Sequence, residues 1–156
     1  MHMQQESAKS GRVINLAAAK TGPGAGVNHQ AGKEEGSTVE LKEAISQFHH
    51  GEKLKSYLIA ASGLIAEMGA FPKEEAWTAI RLCKSYLDQV RGEMRLAACM
   101  GGIPKLPEAE TKVREALWEV HINRPEEAHR LLGEAISLVV SGTEQATKYL
   151  IDQSLL

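Results

Sequence analysis

Histidine is the first residue type in this sequence that could do chemistry, because imidazole titrates near neutral pH and binds metal ions. His49 and His121 occupy matching positions in an approximate repeat, after Phe48 and Val120. If the two halves of the repeat meet, the two imidazoles would form a metal or proton-transfer site. The alternative is that each histidine ends a helix, where the helix dipole favours a cationic side chain. No HExxH pattern accompanies them, so we predict no metal and no cofactor.

A second pair with catalytic potential is Arg124 and His129, which are separated by four residues. Arg114 and His121 form a looser pair, with six residues between them. This spacing resembles the Arg-x4–6-His motif of the HEPN superfamily, small helical-bundle ribonucleases that cleave RNA as dimers. The resemblance covers only the two motif residues and implies catalytic roles for Arg124 and His129. Pro125 departs from the family pattern, which has a polar residue in a helix interior at that position.

Other common catalytic and nucleotide-binding patterns are missing from the sequence. Gly22, Gly24 and Gly26 lack the Lys-Ser/Thr pair and the strand–helix context of a phosphate-binding loop. No serine stands in a nucleophile elbow, and no paired carboxylates lie in an apolar setting. The sequence therefore favours a binding protein over an enzyme.

The composition of this 156-residue chain favours one all-α domain. Hydrophobic residues make up 43% of the chain and aromatic residues only 4%, and a core of Leu, Ile, Val and Ala suits helices. The net charge of −2 gives no overall attraction to nucleic acid or to an anionic membrane. No signal peptide or membrane span is recognisable, so we predict a cytoplasmic protein. Cys83 and Cys99 are predicted to be small, buried, reduced residues.

Residues 41–65 and 113–139 resemble two copies of one helical hairpin, and the pattern of 42–45 returns in 114–117. A repeat of this kind indicates a helical unit that is used twice. We therefore predict an all-α helical bundle that is built from two approximate copies of a three-helix unit. The two halves would cover about 37–100 and 107–156.

Glycines and caps mark the predicted helix ends. The stretch 37–40 offers a capping box for the first helix, and Gly51 would end that helix. The Gly- and Pro-rich stretch 101–107 would separate the two halves. A cap at 123–126 would start the fifth helix, and Gly142 would end it.

The longest predicted helix, 73–99, carries a heptad seam of apolar residues. The seam residues are Ala76, Ile80, Cys83, Leu87, Val90, Met94 and Ala97. Such a seam packs either inside the monomer or across a homodimer, and the sequence leaves both open. Charged residues such as Arg81 and Lys84 cover the rest of the helix and are interpreted as a solvated face.

The segment 1–36 is predicted to be a disordered tail, because it is rich in glycine and has little apolar surface to bury. An apolar run lies inside it, between Arg12 and Lys20. We interpret Val13, Ile14 and Leu16 as a docking motif for a partner protein. A fluctuating stretch with no partner is the alternative.

Together these features predict a non-enzymatic regulatory or adaptor protein that binds another protein through its helical core, its tail, or both. Trp77 and Trp118 are the candidate contact residues of the helical domain. Both lie just beside an apolar stripe, so the sequence favours packing inside the hydrophobic core over a partner contact for them. A HEPN-like ribonuclease that uses Arg124 and His129 is the second hypothesis, and a structural subunit of a self-assembling complex is the third. A nucleic-acid or membrane partner is not expected.

Overall fold

A computed structural model of the chain describes residues 31–72 and 74–156, with the backbone alone for residues 31–39. The regular structure of these residues is helical throughout, which confirms the predicted all-α helical bundle. Helix α1 covers Ala31–Ala66, α2 covers Ala76–Gly101, α3 covers Leu106–His121 and α4 covers Pro125–Asp152. A short 3-10 helix, Glu67–Ala70, follows α1.

The four helices form an up-down-up-down bundle, in which helices that follow one another in sequence lie antiparallel. Ser46 in the first half of α1 donates a hydrogen bond to the carbonyl oxygen of Met100 near the end of α2, at 3.3 Å. Further along α1, Lys53 pairs with Glu93 at 2.7 Å. Helix α4 closes the bundle by packing against both α1 and α3.

Besides a small separate cluster of Ala44, Ala146 and Leu150 between α1 and α4, a main hydrophobic core runs along the bundle. Each helix contributes to this main core a face whose buried residues recur every three or four positions. Its largest fully buried side chains include Leu54, Leu58, Ile65, Leu87, Met94, Leu132 and Val139. Full burial of one such side chain contributes roughly 1.5–3 kcal/mol to folding. None of the four described helices is both long enough and apolar enough to cross a bilayer.

The heptad seam of α2 packs inside this bundle. All but the first of its residues are buried, namely Ile80, Cys83, Leu87, Val90, Met94 and Ala97. The monomer's own core therefore occupies the seam, and a homodimer would have to use a different face. Burial also raises the pKa of the Cys83 thiol. The prediction that both cysteines are buried is wrong for Cys99, which is exposed.

The helix breaks predicted at Gly51 and Gly142 are wrong. Helix α1 continues through Gly51 and α4 through Gly142, so the described residues form four α-helices where six were predicted. Residues 41–65 lie in one helix instead of a hairpin, and two copies of a three-helix unit are not confirmed. Packing explains both glycines: a Cβ at Gly51 would collide with the methyl group of Thr143, and one at Gly142 with the carbonyl oxygen of Pro104.

Of the other predicted helix ends, some agree with the structure and one does not. Helix α1 begins at Ala31, so the capping box predicted at 37–40 lies inside the helix. The breaks predicted within 101–107 and 123–126 are present, since α2 ends at Gly101 and α4 begins just after Arg124. Gly102 ends α2 with a φ of 51°, a left-handed conformation that glycine adopts without strain.

Candidate functional site

Both tryptophans of the chain project into solvent from neighbouring helices. Trp77 at the start of α2 is 60% exposed, and Trp118 near the end of α3 is 59% exposed. The interpretation that these two residues pack inside the hydrophobic core, which the sequence favoured, is therefore wrong. A tryptophan side chain can bury roughly 150–250 Å² of surface, so this exposure leaves a large apolar area in contact with water.

Each tryptophan belongs to a stripe of three residues at positions i, i+4 and i+7, a spacing that puts all three on one face of the helix. The stripes are Trp77, Arg81 and Lys84 on α2 and Arg114, Trp118 and His121 on α3. They meet where the Nζ atom of Lys84 lies 3.4 Å from the Nδ1 atom of His121. The centroids of the Trp118 and His121 rings are 5.7 Å apart. We call these six residues the tryptophan face.

The six residues of the tryptophan face include three cations and no carboxylate, although the chain has a net charge of −2. Within the part of the chain that the structure describes, Arg81, Lys84 and Arg114 form no ion pair with a carboxylate. Three flanking carboxylates are instead paired with other cations. These pairs are Glu115 with Lys112 at 3.1 Å, Glu119 with Arg124 at 4.0 Å and Asp88 with Arg91 at 3.4 Å.

The structure does not bring His49 and His121 together. The His49 ring packs edge-on against His50, with centroids 5.6 Å apart, whereas His121 contacts Lys84. The ion pair between Lys53 of α1 and Glu93 of α2 places His49 beside the last turns of α2. His49 is therefore at least about 13 Å along α2 from Lys84, because Glu93 itself lies nine residues beyond Lys84. His121 ends α3 as predicted, but His49 lies inside α1 and not at a helix end. Among the described residues, no three His, Cys, Asp or Glu residues are grouped to hold a metal ion.

Arg124 and His129 lie at the same end of the bundle. Arg124 precedes Pro125 as the cap residue of α4, outside the helix, and its guanidinium pairs with Glu119 at 4.0 Å. His129 is exposed in α4 and lines a shallow depression with Ala66 of α1. No hydrogen bond joins Arg124 to His129 in the described region. The ribonuclease hypothesis for this pair stays a prediction.

A second surface feature is an open groove of about 810 Å³ between α3 and α4. Its charges pair with one another: Lys112 contacts Glu115 and Glu134 at 3.1 Å each, and Arg130 contacts Glu127 and Glu134. The hydrogen bonds to these carboxylates raise the pKa of Lys112, chiefly through Glu115. Bonds from Arg130 and Lys112 lower the pKa values of Glu127 and Glu134, respectively. Each charge named here thus has a partner of opposite sign inside the groove, unlike the cations of the tryptophan face.

The predicted docking motif of the tail is not placed by the structure. Val13, Ile14 and Leu16 lie outside the described residues. Their role as a partner contact stays a prediction.

Sequence reasoning missed three members of the tryptophan face. Arg81 and Lys84 had been grouped with a solvated charged face, and Arg114 with the repeat and, as a looser Arg–His pair, with His121. The available signal was the i, i+4, i+7 spacing that relates each cation to a tryptophan on the same helix. What the sequence alone could not provide was the pairing of the two stripes across α2 and α3.

Comparison with known proteins gives no match: no family model matches the chain, and neither a curated protein nor a solved structure is significantly similar to it.

Proposed function

We propose that this chain is a non-enzymatic regulatory or adaptor protein that binds another protein through the tryptophan face. The observation that supports it best is the exposure of Trp77 and Trp118 on one surface, at 60% and 59%. Tryptophan and arginine are the residue types that most often dominate the energetics of protein interfaces. Here both types are exposed together on the antiparallel helices α2 and α3.

A second contact through the tail remains part of this proposal. Val13, Ile14 and Leu16 would add a short apolar segment that orders on the partner, as linear motifs do. The ordering would lower the affinity per unit of contact area and keep the complex reversible.

The experiment is an affinity capture from nuclease-treated host lysate, with the full chain as bait. Replacing Trp77 and Trp118 by Ala should remove a stoichiometric protein partner, since truncating one interface tryptophan costs roughly 2 kcal/mol or more. The matched control replaces Leu82 and Leu96 by Ala, because these leucines are exposed on α2 outside the tryptophan stripe. Circular dichroism checks that both variants keep their helices.

Three results would be informative. Loss of the partner in the tryptophan variant but not in the leucine variant supports the proposal. Equal capture by the tryptophan variant contradicts a role for the face, and recovery of the chain alone would favour self-assembly instead. Replacing Val13 and Ile14 by Asp in the same assay tests the contribution of the tail.

A further inference from the structure

The two exposed tryptophans are spaced for one helix of a partner. The Lys84–His121 contact fixes the register of the antiparallel helices α2 and α3, and it puts Trp118 level with position 87 of α2. Trp77 therefore lies about ten residues from that level, which is roughly 15 Å along the axis. Three turns of α-helix rise about 16 Å, so apolar side chains at i and i+11 of one partner helix would reach both indoles.

The charges of the face indicate which residues should accompany those apolar side chains. Arg81 and Arg114 are exposed and Lys84 is half-buried, and none of the three has a carboxylate partner among the described residues. Ammonium and guanidinium groups bind carboxylates through short, charge-assisted hydrogen bonds. Acidic residues that flank the apolar stripe of a partner helix would complement these three cations.

A nucleic acid fits the same surface less well. Its backbone carries a continuous row of phosphates, and affinity depends on how many of them the protein neutralises. Glu115 and Glu119 line a shallow depression together with Arg114 and Trp118, so carboxylates interrupt the basic surface. The acidic side chains of a partner helix can be spaced so that none lies against Glu115 or Glu119, whereas the phosphates of a nucleic acid follow one another without such gaps.

We infer that the tryptophan face binds an acidic amphipathic helix of a partner protein. Its apolar side chains pack on Trp77 and Trp118, and its carboxylates pair with Arg81, Lys84 and Arg114. The inference rests on the proposed function and adds the chemistry of the partner to it.

The test is a titration of the full chain with synthetic helical peptides of about 18 residues that span the face. One peptide carries Leu at i, i+4, i+7 and i+11 with flanking Glu, and its matched control has Gln in place of every Glu. Intrinsic tryptophan fluorescence reports binding directly, because both tryptophans of the chain lie in the face and the peptides contain none. The Glu peptide should bind at least roughly tenfold more tightly at low salt, and added salt should reduce this preference.

Charge-reversal variants then locate the preference. Replacing Arg81 and Arg114 by Glu should weaken binding of the Glu peptide at least roughly tenfold and abolish its advantage over the Gln peptide. The control replaces Lys42 and Lys148 by Glu, which changes the net charge equally at exposed positions of α1 and α4. That control should stay within about twofold of the unmodified chain, because distant surface charges are screened.

Equal affinity for the two peptides, or equal losses in the two charge variants, would overturn the inference. If neither peptide binds but capture of a cellular partner still requires the tryptophans, the inference fails and the proposed function stands. If the tryptophans are dispensable for capture, the proposed function itself fails. Tighter, arginine-dependent binding of oligothymidylate or phosphatidylserine vesicles than of the Glu peptide would also overturn the inference.

Discussion

At the scale of single residues, Glu134 links two cations of the α3–α4 groove. Its carboxylate lies 3.1 Å from Lys112 and also pairs with Arg130. The hydrogen bond from Lys112 is the main reason why the pKa of Glu134 lies below its ordinary value of 4.5. A carboxyl whose pKa is lowered by folding contributes stability above its unfolded pKa, and this contribution is lost as the pH falls through the folded pKa.

Replacing Glu134 by Gln should therefore lower the Tm at pH 7 by a few degrees at most, as expected for a solvent-exposed pair. Below the unfolded value of 4.5 the difference from the unmodified chain should shrink, and it should vanish once the pH is below the folded pKa. Thermal unfolding followed by circular dichroism at pH 7 and pH 3 measures it. Glu144→Gln, at an exposed position of the same helix, is the control and should show no such difference. If Glu134→Gln lowered the Tm equally at both pH values, the loss would not come from the ionised carboxylate.

At the scale of the helices, Gly51 of α1 packs directly against Thr143 of α4, with no space for a Cβ between them. Gly51→Ala raises helix propensity by about 1 kcal/mol, yet its new Cβ would collide with the methyl group of the buried Thr143. Overpacking usually costs about 1–3 kcal/mol, so after the gain in helix propensity we expect a net loss of up to about 2 kcal/mol. Gly133→Ala has open space around its new Cβ and should stabilise the chain by roughly 0.4–1 kcal/mol. Urea unfolding measures both.

The Thr143→Ser background tests whether that collision is the cause. Serine removes the methyl group but keeps the hydroxyl, whose single proton Thr143 shares between the carbonyl oxygens of Val139 and Val140, at 3.3 Å and 3.1 Å. Gly51→Ala should cost less in this background, and the double-mutant cycle gives the coupling energy. An unchanged cost would mean that some other contact at Gly51 is responsible.

The same glycines show what a sequence can and cannot predict about this fold. Apolar periodicity indicated the buried face of α2, and the turns within 101–107 and 123–126 followed from glycine, proline and polar residues. Gly51 and Gly142 look locally like helix ends, because glycine is a poor helix former. Their actual role depends on a neighbouring element that lies far away in sequence, and no local pattern contains that information. The exposure of Trp77 has a similar origin, since α3 ends before it reaches the level of that residue.

At the scale of the whole molecule, the sign of the charge differs between the protein and its tryptophan face. The net charge is −2, but Arg81, Lys84 and Arg114 lie on the same face as the two indoles. None of these three cations forms an ion pair with a carboxylate of the described residues. Local potential at a surface follows the nearby charges, because those farther away than about 8–10 Å are screened at physiological salt. The concentration of small ions near the two indoles should therefore follow the charges of the tryptophan face and not the net charge of the protein.

Collisional quenching of tryptophan fluorescence measures this local potential. Iodide should quench the folded chain more efficiently than caesium, when each is normalised to its quenching of free N-acetyltryptophanamide, because the anion is concentrated near the three cations. Replacing Arg81 and Arg114 by Glu should reverse that order, whereas Lys42→Glu with Lys148→Glu should preserve it despite an equal change in net charge. If both variants shifted the ratio alike, the quenchers would be sensing total charge, and the electrostatic basis for an acidic partner would be lost. Because the indoles that report the field are also the proposed contacts, the result applies directly to the surface that a partner would meet.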